Sequence, residues 1–263
     1  MAKSLLSVVL ATYNEAANLS RCLTSIKDLA GEIVIVDGSS TDQTRIIGKS
    51  FGAQVYRVAN LPMFHTNKQR ALDKATGDWI LQLDADEVVD SELKQSINSV
   101  LSFQGDALEK GYYLKRKNFF LGHWLKKGGQ YPDPVIRLVK RGFAHFPQRS
   151  VHEQISVSGP VATLSGHLLH YTAPTFSRYL TNTNHYTSLT AQELARQNIA
   201  FNLVSLFTYL CFKPAWTFAS LYIRHKGFVD GLPGFIFALF SGLHWPIAYL
   251  KYWELRHVKL TKP

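Results

Sequence analysis

The residues best placed to do chemistry are Asp84, Asp86 and Glu87, three carboxylates within four positions. Carboxylates this close repel one another and resist burial, so they need a cation or an aqueous cleft. Two hard oxygen ligands held together suit Mg²⁺ or Mn²⁺, ions that usually bind substrate phosphates as well. The chain leading in, Trp79-Ile80-Leu81-Gln82-Leu83, is apolar with one polar interruption and is preceded by Gly77. That is how a strand buried on both faces reads. Ligand sites of open α/β sheets lie at the carboxyl ends of strands. If strand geometry continues through Ala85, Asp84 and Asp86 point the same way, and the cluster is a metal–diphosphate site at a strand end. The competing reading is a solvated acidic turn that caps a helix starting near Ser91. Asp-x-Asp alone does not separate the two.

Other elements end on polar groups in the same manner. Ser7 to Ala11 reads as a buried strand that breaks at Thr12-Tyr13-Asn14-Glu15, and Ala16, Leu19, Leu23 and Ile26 then repeat with helical spacing. Asn14 lies where a ligand would sit, or serves as that helix's N-cap. Ile33 to Val36 is a second strand, ending on Asp37 before the turn Gly38-Ser39-Ser40-Thr41-Asp42. Asp37 could accept from a base N–H or a ribose hydroxyl, or simply satisfy the N–H groups of its own turn. Gln54 to Val58 is a short third strand. Asn67 to Ala75 reads as a helix whose Lys68 and Arg70 could face a diphosphate. Strand and helix thus alternate four times in the first ~100 residues, which predicts a mostly parallel, doubly wound sheet. No Gly-x-Gly-x-x-Gly follows the first strand and no Gly-x-x-x-x-Gly-Lys-Ser/Thr occurs, so a nicotinamide dehydrogenase or a P-loop NTPase is disfavoured.

With 263 residues, 46% hydrophobic and 18% charged, the chain can build a substantial core. A net charge of +10 predicts anionic partners. Nucleic acid would explain the charge but not the acidic cluster, so no nucleic acid is expected. Cys22 and Cys211 fit neither a metal spacing nor a disulfide framework, so a reducing compartment is expected. The N-terminal apolar run reads as a strand rather than a signal peptide.

Three blocks now come together: Ser7 to Glu15, Glu32 to Asp42, and Asp84-Ala85-Asp86. In this order and spacing they resemble the signature blocks of family 2 glycosyltransferases. The resemblance implies a GT-A fold, a nucleotide-sugar donor, Mg²⁺ or Mn²⁺ as cofactor and inversion at the anomeric carbon. By it, Thr12, Asn14, Glu15 and Asp37 would line the nucleotide pocket, Asp84 would sit near the ribose and Asp86 would bind the metal. The middle of the chain is similar to a narrower subgroup, the lipopolysaccharide core β-1,4-glucosyltransferase-like enzymes. The residues that carry this are Asn118 to Trp124, Gly128 to Asp133, Arg137-Leu138, Val151-His152-Glu153, Gly166 to Tyr171 and Arg224 to Gly231. Gly38 departs from the serine expected there.

An inverting transfer needs one carboxylate as general base on the acceptor hydroxyl. Glu153 and Asp133 are the two candidates, with Glu153 favoured. Both could instead be ion-pair partners of Arg137 or Arg149. His152 is a candidate metal or phosphate ligand, or a structural histidine. The stretch from Asn118 to Gly129 interleaves aromatics with lysines and is the candidate acceptor side, since aromatic faces stack on sugar rings and lysines meet anions.

Past a predicted helix from Thr175 to Gln197, residues 201–263 carry seven Lys/Arg against two Asp/Glu among many aromatics. Gly231 to Leu250 holds no formal charge and is long enough to span a bilayer, but Pro233, Gly234, Gly242 and Pro246 should break it. A basic, aromatic helical hairpin lying in an anionic membrane surface is expected. The domains expected are therefore a GT-A domain over 1–172, with a nucleotide-sugar half at 1–105 and an acceptor half at 106–172, and a membrane-interface region over 173–263. The activity expected is sugar transfer to a membrane-anchored glycolipid at the cytoplasmic face of the inner membrane. A two-metal nucleotidyltransferase or a decayed glycan-binding membrane protein are the alternatives. The sequence leaves the oligomeric state open.

Overall fold

The structure, a computed structural model, describes residues 5–61, 64–103, 105, 108–147 and 154–257. In chain order its strands and helices are β1 (Leu6–Thr12), α1 (Ala16–Ile26), β2 (Glu32–Asp37), α2 (Thr44–Ser50), β3 (Gln54–Arg57), α3 (Phe64–Asp73), β4 (Trp79–Leu83), β5 (Glu87–Val89), α4 (Ser91–Ser102), β6 (Gly111–Phe120), β7 (His123–Trp124), β8 (Asp133–Lys140), β9 (Ala144–His145), β10 (Ser156–Val157), β11 (Val161–Ala173), α5 (Phe176–Arg196), α6 (Leu203–Phe207), α7 (Lys213–Ala219) and α8 (Gly231–His257). The chain divides into two compact units, one of residues 1–116 and 133–170, the other of 117–132 and 171–263.

The first unit is built on a mixed sheet of order β3-β2-β1-β4-β8-β6-β11-β5. Strands β3, β2, β1 and β4 run parallel, as their alternation with helices predicts, whereas β8 joins β4 antiparallel, pairing Leu81 with Leu138. All five residues of β4 are buried, because helices cover both faces of the sheet. Successive side chains alternate between those faces. Leu6, Val8, Leu10, Leu81 and Leu83 join Leu19, Leu23 and Ile26 of α1 and Leu93, Ile97 and Leu101 of α4 in one core. Val9, Val34, Val36 and Ile80 join Ala71 and Leu72 of α3 in the other. Truncating a buried leucine such as Leu81 to alanine would cost about 2–5 kcal/mol. Gly166 has φ +86°, and a side chain there would collide with the Leu93 backbone, so only glycine lets β11 pass the start of α4. Asp90 caps α4 by accepting from Leu93 N at 2.8 Å.

Residues 117–132 group with the C-terminal helices. The buried carboxylate of Asp230 explains this, since it accepts from the main-chain N–H of Lys126 and Lys127 at 3.0 and 2.8 Å. In this unit α5 and α8 share a core of Ala191, Leu194, Tyr249 and Tyr252. Thr175 caps α5, accepting from Arg178 N at 3.2 Å. The expected breaks in the apolar C-terminal stretch do not occur, and α8 runs from Gly231 to His257 with Pro246 inside it. Pro233 falls in the first turn, where an N–H would have no helical partner in any case. Gly234 and Gly242 lie against the Gly227 and Pro214 carbonyls, which admit no Cβ. They serve close approach, not termination. Between α6 and α8 the chain takes two π-helical turns, Thr208–Phe212 and Ser220–Arg224, and a 3₁₀ turn, Gly227–Asp230. Lys213-Pro214 follows the first of these π turns, so α7 begins with Pro214 at its N-terminus.

Candidate active site

The site lies along the carboxyl edge of the parallel strands. Thr12 ends β1 and pairs in register with Asp37, which ends β2. Leu10 pairs with Leu83 on the other side of β1, so Asp84 emerges from the same edge. Asp37 and Asp84 are thus separated by two strand spacings, about 10 Å.

The two loops at β1 and β2 are hydrogen-bonded into one body. Fully buried Asp37 accepts from Ser40 N at 2.9 Å, Ser40 Oγ at 2.5 Å and Thr12 Oγ1 at 3.2 Å, with Arg45 Nε 3.7 Å away. It therefore holds its own turn, as one of its two sequence readings has it. Asn14 is not the N-cap of α1. That place is taken by Glu15, and Asn14 adopts φ 54°, with its Oδ1 accepting from Thr41 N at 2.9 Å. Ser40 Oγ accepts from Asn14 N and Thr44 Oγ1 from Glu15 N, at 2.9 and 2.8 Å. Thr12, Asn14, Glu15 and Asp37 are brought together by bonds that run across the two loops.

At the end of β4 the strand does not continue. Asp84 to Glu87 form a turn in which Glu87 N donates to Asp84 O at 3.0 Å and Asp84 N to Glu87 Oε2 at 2.9 Å. Three carboxylates in four residues cannot share one direction without a shared cation, and the turn sets Asp84 and Glu87 on one cation, Arg137, while Asp86 is turned away from it. Asp84 meets Lys68 Nζ at 2.5 Å and Arg137 Nη2 at 2.6 Å. Glu87, with no exposure, meets the same Arg137 nitrogen at 2.7 Å and Arg116 at 3.5 Å. Arg137 also donates to Gln82, the polar interruption of β4. Burial alone would raise the Asp84 carboxyl, but the Arg137 guanidinium and then the Lys68 ammonium outweigh it and hold that carboxyl well below the usual range. Asp133 pairs with Arg116, whose Nε and Nη2 reach Oδ2 at 2.9 and 2.6 Å, and not with Arg137.

Asp86 turns elsewhere. Among the described residues its ion-pair partner is His170, whose Nε2 lies 3.5 Å from Oδ2, and no lysine or arginine joins it. Lys68, Arg116 and Arg137 offset Asp84, Glu87 and Asp133, so among the described residues Asp86 is the acid of the cluster with no lysine or arginine partner. Among the described residues no group of three or more His, Cys, Asp or Glu surrounds one point. Mg²⁺ keeps several waters and needs only one or two carboxylates when substrate phosphates complete its shell. The 26%-exposed carboxylate of Asp86 with the His170 imidazole fits that requirement. Glu153 and His152 lie outside the described residues.

The sequence reading missed the weight of Arg137, Arg116 and His170. The signal for the first was present. An arginine within the apolar run Ile136 to Val139 and a glutamine within Trp79 to Leu83 are buried polar groups that need each other. Cys22 lies beneath the cluster. Burial first, then Glu87, Asp86 and Asp84, pushes its thiol well above the ordinary value.

Residues 7–126 match the family model Glycosyl transferase family 2. The lipopolysaccharide core biosynthesis glycosyltransferase LpsC of Rhizobium meliloti is 29% identical over 269 residues, covering 98% of this chain and 95% of that one. An uncharacterized glycosyltransferase of Rickettsia typhi is 27% identical over 240 residues, covering 88% and 80%. Among solved structures, the mannosyltransferase PcManGT of Pyrobaculum calidifontis, in complex with GDP-Man and Mn²⁺, superposes with a TM-score of 0.55 at 13% identity, covering 96% of this chain and 88% of that one. Its likeness shows the fold, a GT-A fold with the parallel strands described above. Residues 7–126 thus resemble a family 2 glycosyltransferase domain, and the chain is a glycosyltransferase.

Proposed function

We propose that the protein transfers a sugar, with inversion, from a nucleotide-sugar donor to a hydroxyl of a membrane-anchored glycolipid in the assembly of lipopolysaccharide or a related envelope glycan. One observation carries the site assignment. At the carboxyl edge of the sheet, among the described residues, every acid of the Asp84–Glu87 turn has a lysine or arginine partner except Asp86. Thr12, Asn14, Glu15 and Asp37 would take the nucleoside, with Lys68 and Asp84 beside it. Asp86 would hold the divalent ion, with His152 or His170 as a second ligand. Bound Mg²⁺ or Mn²⁺ neutralises charge on a departing diphosphate. The base that removes the acceptor proton is Glu153, with Asp133 the alternative. Asp133 Oδ2 is already engaged twice by Arg116, which supports the preference.

The acceptor's membrane anchor is supported by the C-terminal unit. Gly227–His257 is long and apolar enough by composition to cross a membrane. Leu203, Phe207, Phe212 and Trp216 are all exposed. An α-helix turns 100° per residue, so the five-residue step from Phe207 to Phe212 would swing the ring about 140° aside. The π turn between them bonds i to i+5 and offsets much of that swing, and the Phe212 and Trp216 rings stack with centroids 6.3 Å apart. Such a face suits a helix lying in the cytoplasmic leaflet, with residues 173–263 as the membrane-interface region and 1–172 as the transferase domain. Asp86→Asn tests the reaction. Nucleoside diphosphate release from the donor should fall by two orders of magnitude or more with folding unchanged, and near-normal release would overturn the assignment. Release of pyrophosphate instead would indicate nucleotidyl transfer.

A further inference from the structure

The loop after β7 in the second unit is held far more firmly than its sequence, Leu125-Lys126-Lys127-Gly128-Gly129, requires of a surface connection. Leu125 N donates to Asn118 O at 3.0 Å, Lys126 N and Lys127 N donate to Asp230, and Gly128 N donates to His225 O at 2.9 Å. Four successive main-chain donors are therefore bonded. Asp230, whose side chain is 1% exposed, also meets His123 Nε2 at 3.2 Å. A buried carboxylate is a costly anchor unless its bonds fix something that matters.

What they fix is a group of cations around an indole. Lys117 Nζ lies 4.8 Å and Lys126 Nζ 5.4 Å from the centre of the Trp124 ring. Lys126 and Lys127 are exposed, and among the described residues no carboxylate pairs with Lys117, Lys126 or Lys127. Asp230 makes no ion pair with them; its oxygens accept from the main-chain N–H groups of Lys126 and Lys127 and meet the histidine. Two ammonium groups drawn to one ring repel each other, and an anion between them removes that repulsion. The indole Nε1 of Trp124 is buried without an acceptor, a donor still to be satisfied. Lysines deliver point charge to phosphate, and an indole face accepts the apolar side of a sugar ring.

We infer that Lys117, Trp124, Lys126 and Lys127, fixed by Asp230, form a binding site for a phosphate group borne on a sugar or on a lipid headgroup. Its residues are none of those proposed for the donor, Asp37, Asp84 and Asp86. Only the identity of the molecule that carries the phosphate rests on the proposed transfer reaction. Asp230 is a positioning residue here and touches no ligand.

The test uses the full-length protein and measures binding, not turnover. Glucose 6-phosphate and glucose are titrated calorimetrically. Vesicles of phosphatidylcholine, with and without phosphatidylglycerol, are tested by flotation. Lys126→Ala/Lys127→Ala changes two exposed side chains and leaves the Asp230 bonds intact. Glucose 6-phosphate binding that weakens at least tenfold in this variant, with glucose not binding to either protein, supports a sugar phosphate. Loss confined to phosphatidylglycerol vesicles supports a lipid headgroup. Equal behaviour of variant and parent in both assays overturns the inference, and it would do so even if sugar transfer were intact. Asp230→Asn should reproduce the loss by releasing the loop, with Asp230→Glu restoring part of it.

Discussion

Arg137 joins two acids of the β4 turn, fully buried Glu87 and part-buried Asp84, so its removal has a calculable cost. In Arg137→Leu, Glu87 keeps a fully buried carboxylate with Arg116 3.5 Å away as its remaining cation, and Asp84 keeps only Lys68. Breaking a buried ion pair by deleting one partner costs about 3–5 kcal/mol. For a chain of this size that lowers Tm by about 6–20 °C. The pH dependence separates this cause from lost packing. In the parent protein the Asp84 carboxyl titrates well below its unfolded value. Its contribution is therefore complete above that unfolded value, near pH 4, and is lost as pH falls through the folded one. In the variant Asp84 loses its strongest cation and its carboxyl is less depressed, so the deficit should be full above about pH 4 and shrink as pH falls below that value. Urea unfolding of both proteins on either side of that pH, followed by tryptophan fluorescence, measures the difference. A deficit under about 1 kcal/mol, or one that does not change with pH, would refute the description of Arg137 as a buried counter-ion.

Three further outcomes are expected. Cys211 is exposed and should react promptly with a thiol reagent at neutral pH, whereas Cys22, buried and with its thiol pushed up, should react only on unfolding; two fast thiols would show that the core beneath the cluster is open. Phe207→Ser/Phe212→Ser/Trp216→Ser should weaken flotation with anionic vesicles at least tenfold, since each ring contributes on the order of 1.5–3 kcal/mol when buried in apolar surroundings; unchanged flotation would remove that face from the membrane contact. Glu153→Gln should lower transfer by about 10²–10⁴-fold at unchanged donor binding, the usual contribution of a general base, and a larger loss in Asp133→Asn would exchange their roles.

The parallel half of the fold was legible because its signals are local. Ile33 to Asp37 and Trp79 to Leu83 are short apolar runs that end on acids, and α1 shows its buried face at Leu19, Leu23 and Ile26. The direction of the acids was not legible. Whether Asp84 and Asp86 share a side depends on the chain turning at Ala85, and that turn is fixed by Arg137 and Lys68, distant in sequence. Pro246 misled in the other direction. Local propensity marks a helix end, yet α8 continues through it because packing on α5 outweighs one lost hydrogen bond. The placement of residues 117–132 with the C-terminal helices rests on Asp230, more than a hundred positions away, and no periodicity announces it.

The central claim is that Asp86 holds the divalent ion through which the donor's diphosphate is gripped. Calorimetric titration of nucleoside diphosphates, with and without Mn²⁺, into the parent protein, Asp86→Asn and Asp133→Asn addresses it without any acceptor. Mn²⁺ should tighten binding of the preferred nucleotide at least tenfold in the parent and in Asp133→Asn, and have no effect in Asp86→Asn. The same enhancement in Asp86→Asn would contradict the claim.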